Sequence, residues 1–96
     1  MTPDAHLLIV DDDERIRTLL QKFLIRNGFL VSAARDAVHA RRILSGLDFD
    51  LIVLDVMMQG EDGISLTKEV RRNSDTPILL LTTTRETEGR SWGLRA

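Results

Sequence analysis

The chain contains no cysteine, which excludes a disulfide framework and any thiolate-based metal or redox centre. No apolar run approaches the ~18 residues needed to span a bilayer, so the chain is not expected to cross a membrane. The opening Met1-Thr2-Pro3-Asp4 lacks the basic and apolar regions of a secretory signal, and a cytoplasmic location is expected. Basic excess is missing too. Thirteen Lys and Arg face 15 Asp and Glu, a net charge of −2, without the positive surplus of a nucleic-acid binder. Any action on DNA therefore needs something beyond these residues. There is no internal repeat, low-complexity tract or interdomain linker. What remains is an ordinary globular mix, 43% apolar and 29% charged, in 96 residues. That length forms one small domain with no room for a second core.

Apolar periodicity divides the chain into short strands alternating with amphipathic helices. Leu7-Leu8-Ile9-Val10 is uninterrupted, as in a strand covered on both faces of a parallel sheet. Ile16, Leu19, Leu20, Phe23 and Leu24 form one helical stripe, capped by Asp12 or Asp13 and stopped at Asn27-Gly28. Phe29 to Ala34 is a weaker strand suited to a sheet edge. Asp36 then caps a second helix carrying Ala37, Ala40, Ile43 and Leu44. Leu51 to Leu54 is the second fully apolar strand, and Met57 to Gly63 a loop into a third helix with Ile64, Leu66, Thr67 and Val70. Pro77 opens a last strand, Ile78 to Leu81, and Glu86 to Ala96 is expected to form a fourth helix. This alternation predicts an α/β three-layer sandwich around an open parallel sheet with right-handed crossovers. Ligands in such sheets sit beyond the carboxyl ends of the strands.

Those ends are where the chemistry gathers. The first strand ends in Asp11-Asp12-Asp13, the third in Asp55, and the fourth in Thr82. Parallel strands direct all of these to one rim. Clustered carboxylates either take up protons or recruit a cation. Oxygen ligands with open positions suit Mg²⁺. A carboxylate beside such an ion can attack a phosphoryl group and form an acyl phosphate, and a threonine hydroxyl can donate to the transferred group. A single Asp after a strand is commonly only a cap or turn residue; the set on successive parallel strands makes the functional reading.

Three segments carry a family resemblance: Leu-Leu-Ile-Val-Asp-Asp-Asp-Glu, Leu-Ile-Val-Leu-Asp-Val-Met-Met-x-Gly-Glu-Asp-Gly, and Pro-Ile-Leu-Leu-Leu-Thr. In order and spacing the chain resembles the receiver domain of two-component response regulators, especially those with a winged-helix output domain. The resemblance covers essentially residues 1–96 and implies a flavodoxin-like sheet of strand order 2-1-3-4. It implies that Asp55 accepts the phosphoryl group from a sensor histidine kinase. It also implies that Asp11 and Asp12 hold Mg²⁺, with Asp12 a direct ligand. Asp55 and the backbone carbonyl of Met57 complete the implied metal set. Thr82 matches the switch hydroxyl, and the Thr83 amide a phosphoryl-binding donor. Transfer and later loss of the phosphoryl group are self-catalysed in this family, rather than an enzymatic turnover of external substrate.

The chain departs from that pattern at several points. The family's fifth strand and helix are missing, and with them the lysine that pairs with the phosphoryl group and an aromatic switch residue. The only lysines are Lys22 and Lys68, both on predicted helices, and there is no tyrosine. The chain is therefore expected to be a C-terminally truncated receiver without its output domain. Phosphorylation is then expected to be slow, and Ile78–Leu81 to form a bare edge prone to self-association or segment exchange. Gln59 stands where related regulators carry proline, which loosens the loop after Asp55; Ser91 stands where a larger apolar residue is usual, beside Trp92. His6, His39, Arg41-Arg42 and Arg71-Arg72 read as structural or solvated. The alternative is a small Mg²⁺-dependent phosphohydrolase using Asp11 and Asp13, although this leaves Asp55 unexplained. A phosphorylation-silent interaction module is a further reading, to which Asp55→Asn would be indifferent. A flavin-binding protein fits poorly, because its phosphate cradle would be rich in amides and hydroxyls rather than acidic.

Overall fold

The computed structural model describes residues 5–58, 63–86 and 89–95, with the backbone alone from residue 82 onward. The two uninterrupted apolar runs form β1 (His6–Val10) and β3 (Leu51–Asp55), each buried at every position after its first. β2 (Leu30–Ala34) is buried only at Ala34, as expected of an edge. The helices are α1 (Glu14–Arg26), α2 (Ala37–Leu44) and α3 (Gly63–Asn73). Asp13 caps α1 by accepting from the amides of Arg15 and Ile16, and Asp36 caps α2 through the His39 amide. Beyond α1, Gly28 takes φ 91°, a left-handed conformation that side chains resist.

β4 (Ile78–Glu86) pairs with β3, and the parallel strands run in the order β2-β1-β3-β4. The chain steps outward from β1 to β2, then back across β1 to β3 and β4. Right-handed crossovers in opposite directions put α1 on one face and α2 and α3 on the other. Leu8, Val10, Ile52, Leu54 and Ile78 pack with Ala37, Ala40, Phe49, Met58 and Leu66 in one buried cluster. Leu7, Ile9, Val53 and Leu81, also buried, alternate onto the α1 face.

The C-terminal end corrects three expectations. β4 does not stop at Leu81 but continues through Thr82, Thr83 and Thr84 to Glu86. The helix expected over residues 86–96 is instead a strand, β5 (Gly89–Arg95), antiparallel to β4. The fifth sheet position, expected to be vacant, is therefore filled, and the edge expected to be bare is paired from Leu80 onward, Leu80 opposite Arg95 and Leu81 opposite Leu94. The physical reasons are local. Three successive β-branched threonines favour extension, and Gly89 and Gly93 each disfavour a helix by about 1 kcal/mol. An unpaired apolar strand presents a row of N–H and C=O groups that the next segment can satisfy.

Candidate functional site

The order in which strands are added reverses between β1 and β3, and the acidic residues sit at the carboxyl ends of these two parallel strands. Asp11, Asp12 and Asp55 each bring a carboxylate oxygen within 4.8 Å of the others. Asp11 and Asp55 are 2% and 3% exposed, and Asp12 is half-buried. Such burial is unusual for aspartate and costs free energy unless hydrogen bonds or a cation compensate.

Backbone bonds set the geometry. The Asp11 amide extends the β1–β2 ladder by donating to the Ala34 carbonyl at 3.1 Å, and its Oδ1 accepts the Asp13 amide at 2.9 Å. Across the site, Asp55 Oδ1 accepts the Met57 amide at 3.0 Å, and the Val56 amide donates to the Leu81 carbonyl at 3.0 Å. α3 begins against the same backbone. The Gly63 amide donates to the Val56 carbonyl at 3.0 Å, and a Cβ at Gly63 would overlap the Asp55 carbonyl oxygen and lie 2.9 Å from Val56 Cα. Only glycine allows this approach.

Burial pushes the Asp11 carboxyl up from its ordinary 3.8 to about 6, against the lowering effect of the Asp13 amide; the charges of Asp55, Asp12 and Asp13 add to the rise. This is the signature of negative charge gathered in a partly dry site. Compact oxygen donors of this kind suit a hard divalent cation that keeps some of its water.

Asp13, half of the alternative pair, is otherwise engaged. Its Oδ1 accepts the Arg15 amide at 2.9 Å and caps α1, and the acidic cluster joins Asp55 to Asp11 and Asp12 instead. The phosphohydrolase reading is not supported. The Met57 side chain is 55% exposed, while its amide faces Asp55. Thr82 lies one step beyond Leu81, the β4 partner of Asp55, and Thr83 follows opposite Trp92. The side chains of Thr82, Thr83, Ser91 and Trp92, and all of Gln59, lie outside the described residues.

Two neighbours of the site carry signals the sequence conceals. Arg17 Nη1 donates to the Asp11 carbonyl at 2.9 Å, although on a helical wheel it reads as another solvated cation. Gly63 reads as a loop residue until its contact with Asp55 is seen. Among the cations expected to be solvated, Arg41 instead pairs with Glu69 across α2 and α3 at 2.9 Å, holding the Glu69 carboxyl below its usual range. His6 Nε2 meets Ser32 Oγ at 2.9 Å and its ring tilts against Phe49, a structural role.

With this geometry established, residues 7–96 match the family described as the response regulator receiver domain. The chain belongs to the response regulator receiver family. It is 74% identical over 91 residues to the protein PetR of Rhodobacter capsulatus, covering 95% of this chain and 38% of that protein. It is 39% identical to the transcriptional regulatory protein ResD of Bacillus subtilis, over 99% of this chain and 40% of that protein. Among solved structures it resembles the response regulator TrrA of Thermotoga maritima in complex with Mg²⁺-BeF, with 32% identity and a TM-score of 0.77, covering 81% of this chain and 69% of that one. The chain thus spans well under half the length of these curated relatives. No helix among the described residues is long and apolar enough to cross a membrane.

Proposed function

We propose that this receiver domain accepts a phosphoryl group on Asp55 from a phosphohistidine of a sensor kinase, in a Mg²⁺-dependent step. The observation that carries the reading is the meeting of Asp11, Asp12 and Asp55, from two separate strand ends, within 4.8 Å. An Asp55 carboxylate oxygen attacks phosphorus, the P–N bond to the imidazole breaks, and an acyl phosphate forms. The Asp55 carboxylate is held for this by the Met57 amide. Asp11, Asp12, Asp55 and the Met57 carbonyl would hold the cation. When bound, Mg²⁺ offsets the repulsion between the acidic pocket and the incoming anion and polarises the phosphoryl oxygens. Thr82 supplies a hydroxyl donor to the transferred group, and the Thr83 amide a second. The phosphorylated state then controls a DNA-binding output domain in a cytoplasmic transcription regulator, and a second copy of the domain is a partner.

The test is incubation with Mg²⁺ and a small acyl-phosphate donor, followed by intact-mass measurement. One phosphoryl group per chain is expected in the wild type and none in Asp55→Asn. An adduct that survives Asp55→Asn, or a wild type that takes up none, overturns the reading. Because Lys22 and Lys68 both lie exposed on helices away from the strand ends, uptake is expected to be slow.

A further inference from the structure

We infer that Arg17 is a positioning residue of the cation site, acting through the backbone rather than through its charge; this rests on the metal reading above. Arg17 lies in the first turns of α1, half-buried. Its Nη1 donates at 2.9 Å to the carbonyl of Asp11, six residues earlier. That carbonyl belongs to the peptide joining Asp11 to Asp12. A peptide is planar, so fixing its oxygen fixes the direction in which the Asp12 Cα, and with it the Asp12 carboxylate, leaves the strand.

The peptides on either side are held as well. The Asp11 amide is tied to the Ala34 carbonyl at 3.1 Å, and the Asp13 amide to Asp11 Oδ1 at 2.9 Å. Asp13 in turn caps α1, the helix that carries Arg17. Strand end, acidic turn and helix thus close into one ring of bonds, with the guanidinium as its last link. The guanidinium engages the Asp11 carbonyl rather than a carboxylate of the site. Arg17 therefore orders the ligands while leaving the carboxylates to the metal. Residues that orient metal ligands from behind commonly affect metal affinity as strongly as weak ligands do.

A purely electrostatic role has the opposite sign. A cation beside a divalent-ion site repels the ion, so removing its charge would tighten binding. Positioning predicts that removing it weakens binding. The experiment is a Mg²⁺ titration followed by the backbone amide resonances of Asp12, Asp13 and Met57 in wild type, Arg17→Met and Arg17→Lys, each checked for folding by circular dichroism. Arg17→Met is expected to weaken Mg²⁺ binding about tenfold, with Arg17→Lys, which keeps the charge and one donor, intermediate. In cation-free protein the Asp13 amide is expected to exchange with solvent faster in Arg17→Met than in the wild type. Equal or tighter binding by Arg17→Met overturns the positioning role alone. A wild type that shows no saturable Mg²⁺ response overturns the metal reading and this inference with it. If Arg17→Met does not fold, Arg17→Lys decides: weakened binding supports the role, and wild-type affinity overturns it.

Discussion

Asp11 shows how one residue couples stability to the site. Its carboxyl is raised from 3.8 to about 6, chiefly by burial. The folded chain therefore binds this proton more tightly than the unfolded chain does. Its contribution to stability grows as pH falls from about 6 toward 4 and is lost as pH rises back through that window. The full effect is at most about 3 kcal/mol. With divalent cations chelated, the urea midpoint should thus be higher near pH 5 than near pH 7, as far as this group decides it. Asp11→Asn should flatten that dependence and stabilise the chain near neutrality. Mg²⁺ favours the ionised carboxylate, so saturating Mg²⁺ should reverse the trend. Gly63 makes a different prediction. An added methyl meets the backbone of Asp55 and Val56, which cannot yield as a side chain tip can. Gly63→Ala should cost about 1–3 kcal/mol, measured by urea denaturation, and should slow phosphoryl uptake by shifting Asp55. The Gly63 contact is not legible in the sequence, where it is one more loop glycine; the clustering of Asp11 with other carboxylates is legible there, but the burial that raises its carboxyl is not.

Among the elements, α1 depends most on its ends. None of its residues is fully buried, so packing holds it less firmly than it holds the strands beneath. Asp13→Ala removes the acceptor for the Arg15 and Ile16 amides and should cost about 1 kcal/mol, read as a lower melting temperature. Asp36→Ala should do the same through α2, whose first turn it caps by accepting the His39 amide. Caps and stripes of this kind are short-range features, and both were readable from spacing. The C-terminal element was not. Residues 86–96 carry helix-compatible charges, but Thr82–Thr84 and the two glycines favour extension, and the open edge of β4 supplies a partner. Secondary structure there follows from a neighbour that periodicity does not see.

For the whole molecule, the sheet order places α1 alone on its face among the described helices, and Leu19 and Phe23 on this helix stay 68% and 62% exposed. Apolar surface of this kind favours association between copies. Light scattering should give a mass that rises with concentration, and Phe23→Glu should lower it; a constant monomer mass would count against the second copy as a partner. The pattern of apolar runs and stripes already determined the strand–helix alternation, the two-faced burial of β1 and β3, and the rim on which Asp11, Asp12 and Asp55 meet. Those properties depend on periods of two and 3.6 residues and on the handedness of crossovers, which are local rules. Only the tertiary structure decided that Arg17 turns back onto the Asp11 carbonyl, that α3 starts against the backbone of Asp55, and that the last segment pairs with β4. Each of these rests on the distance between atoms of different elements, and no spacing along a chain encodes such a distance by itself.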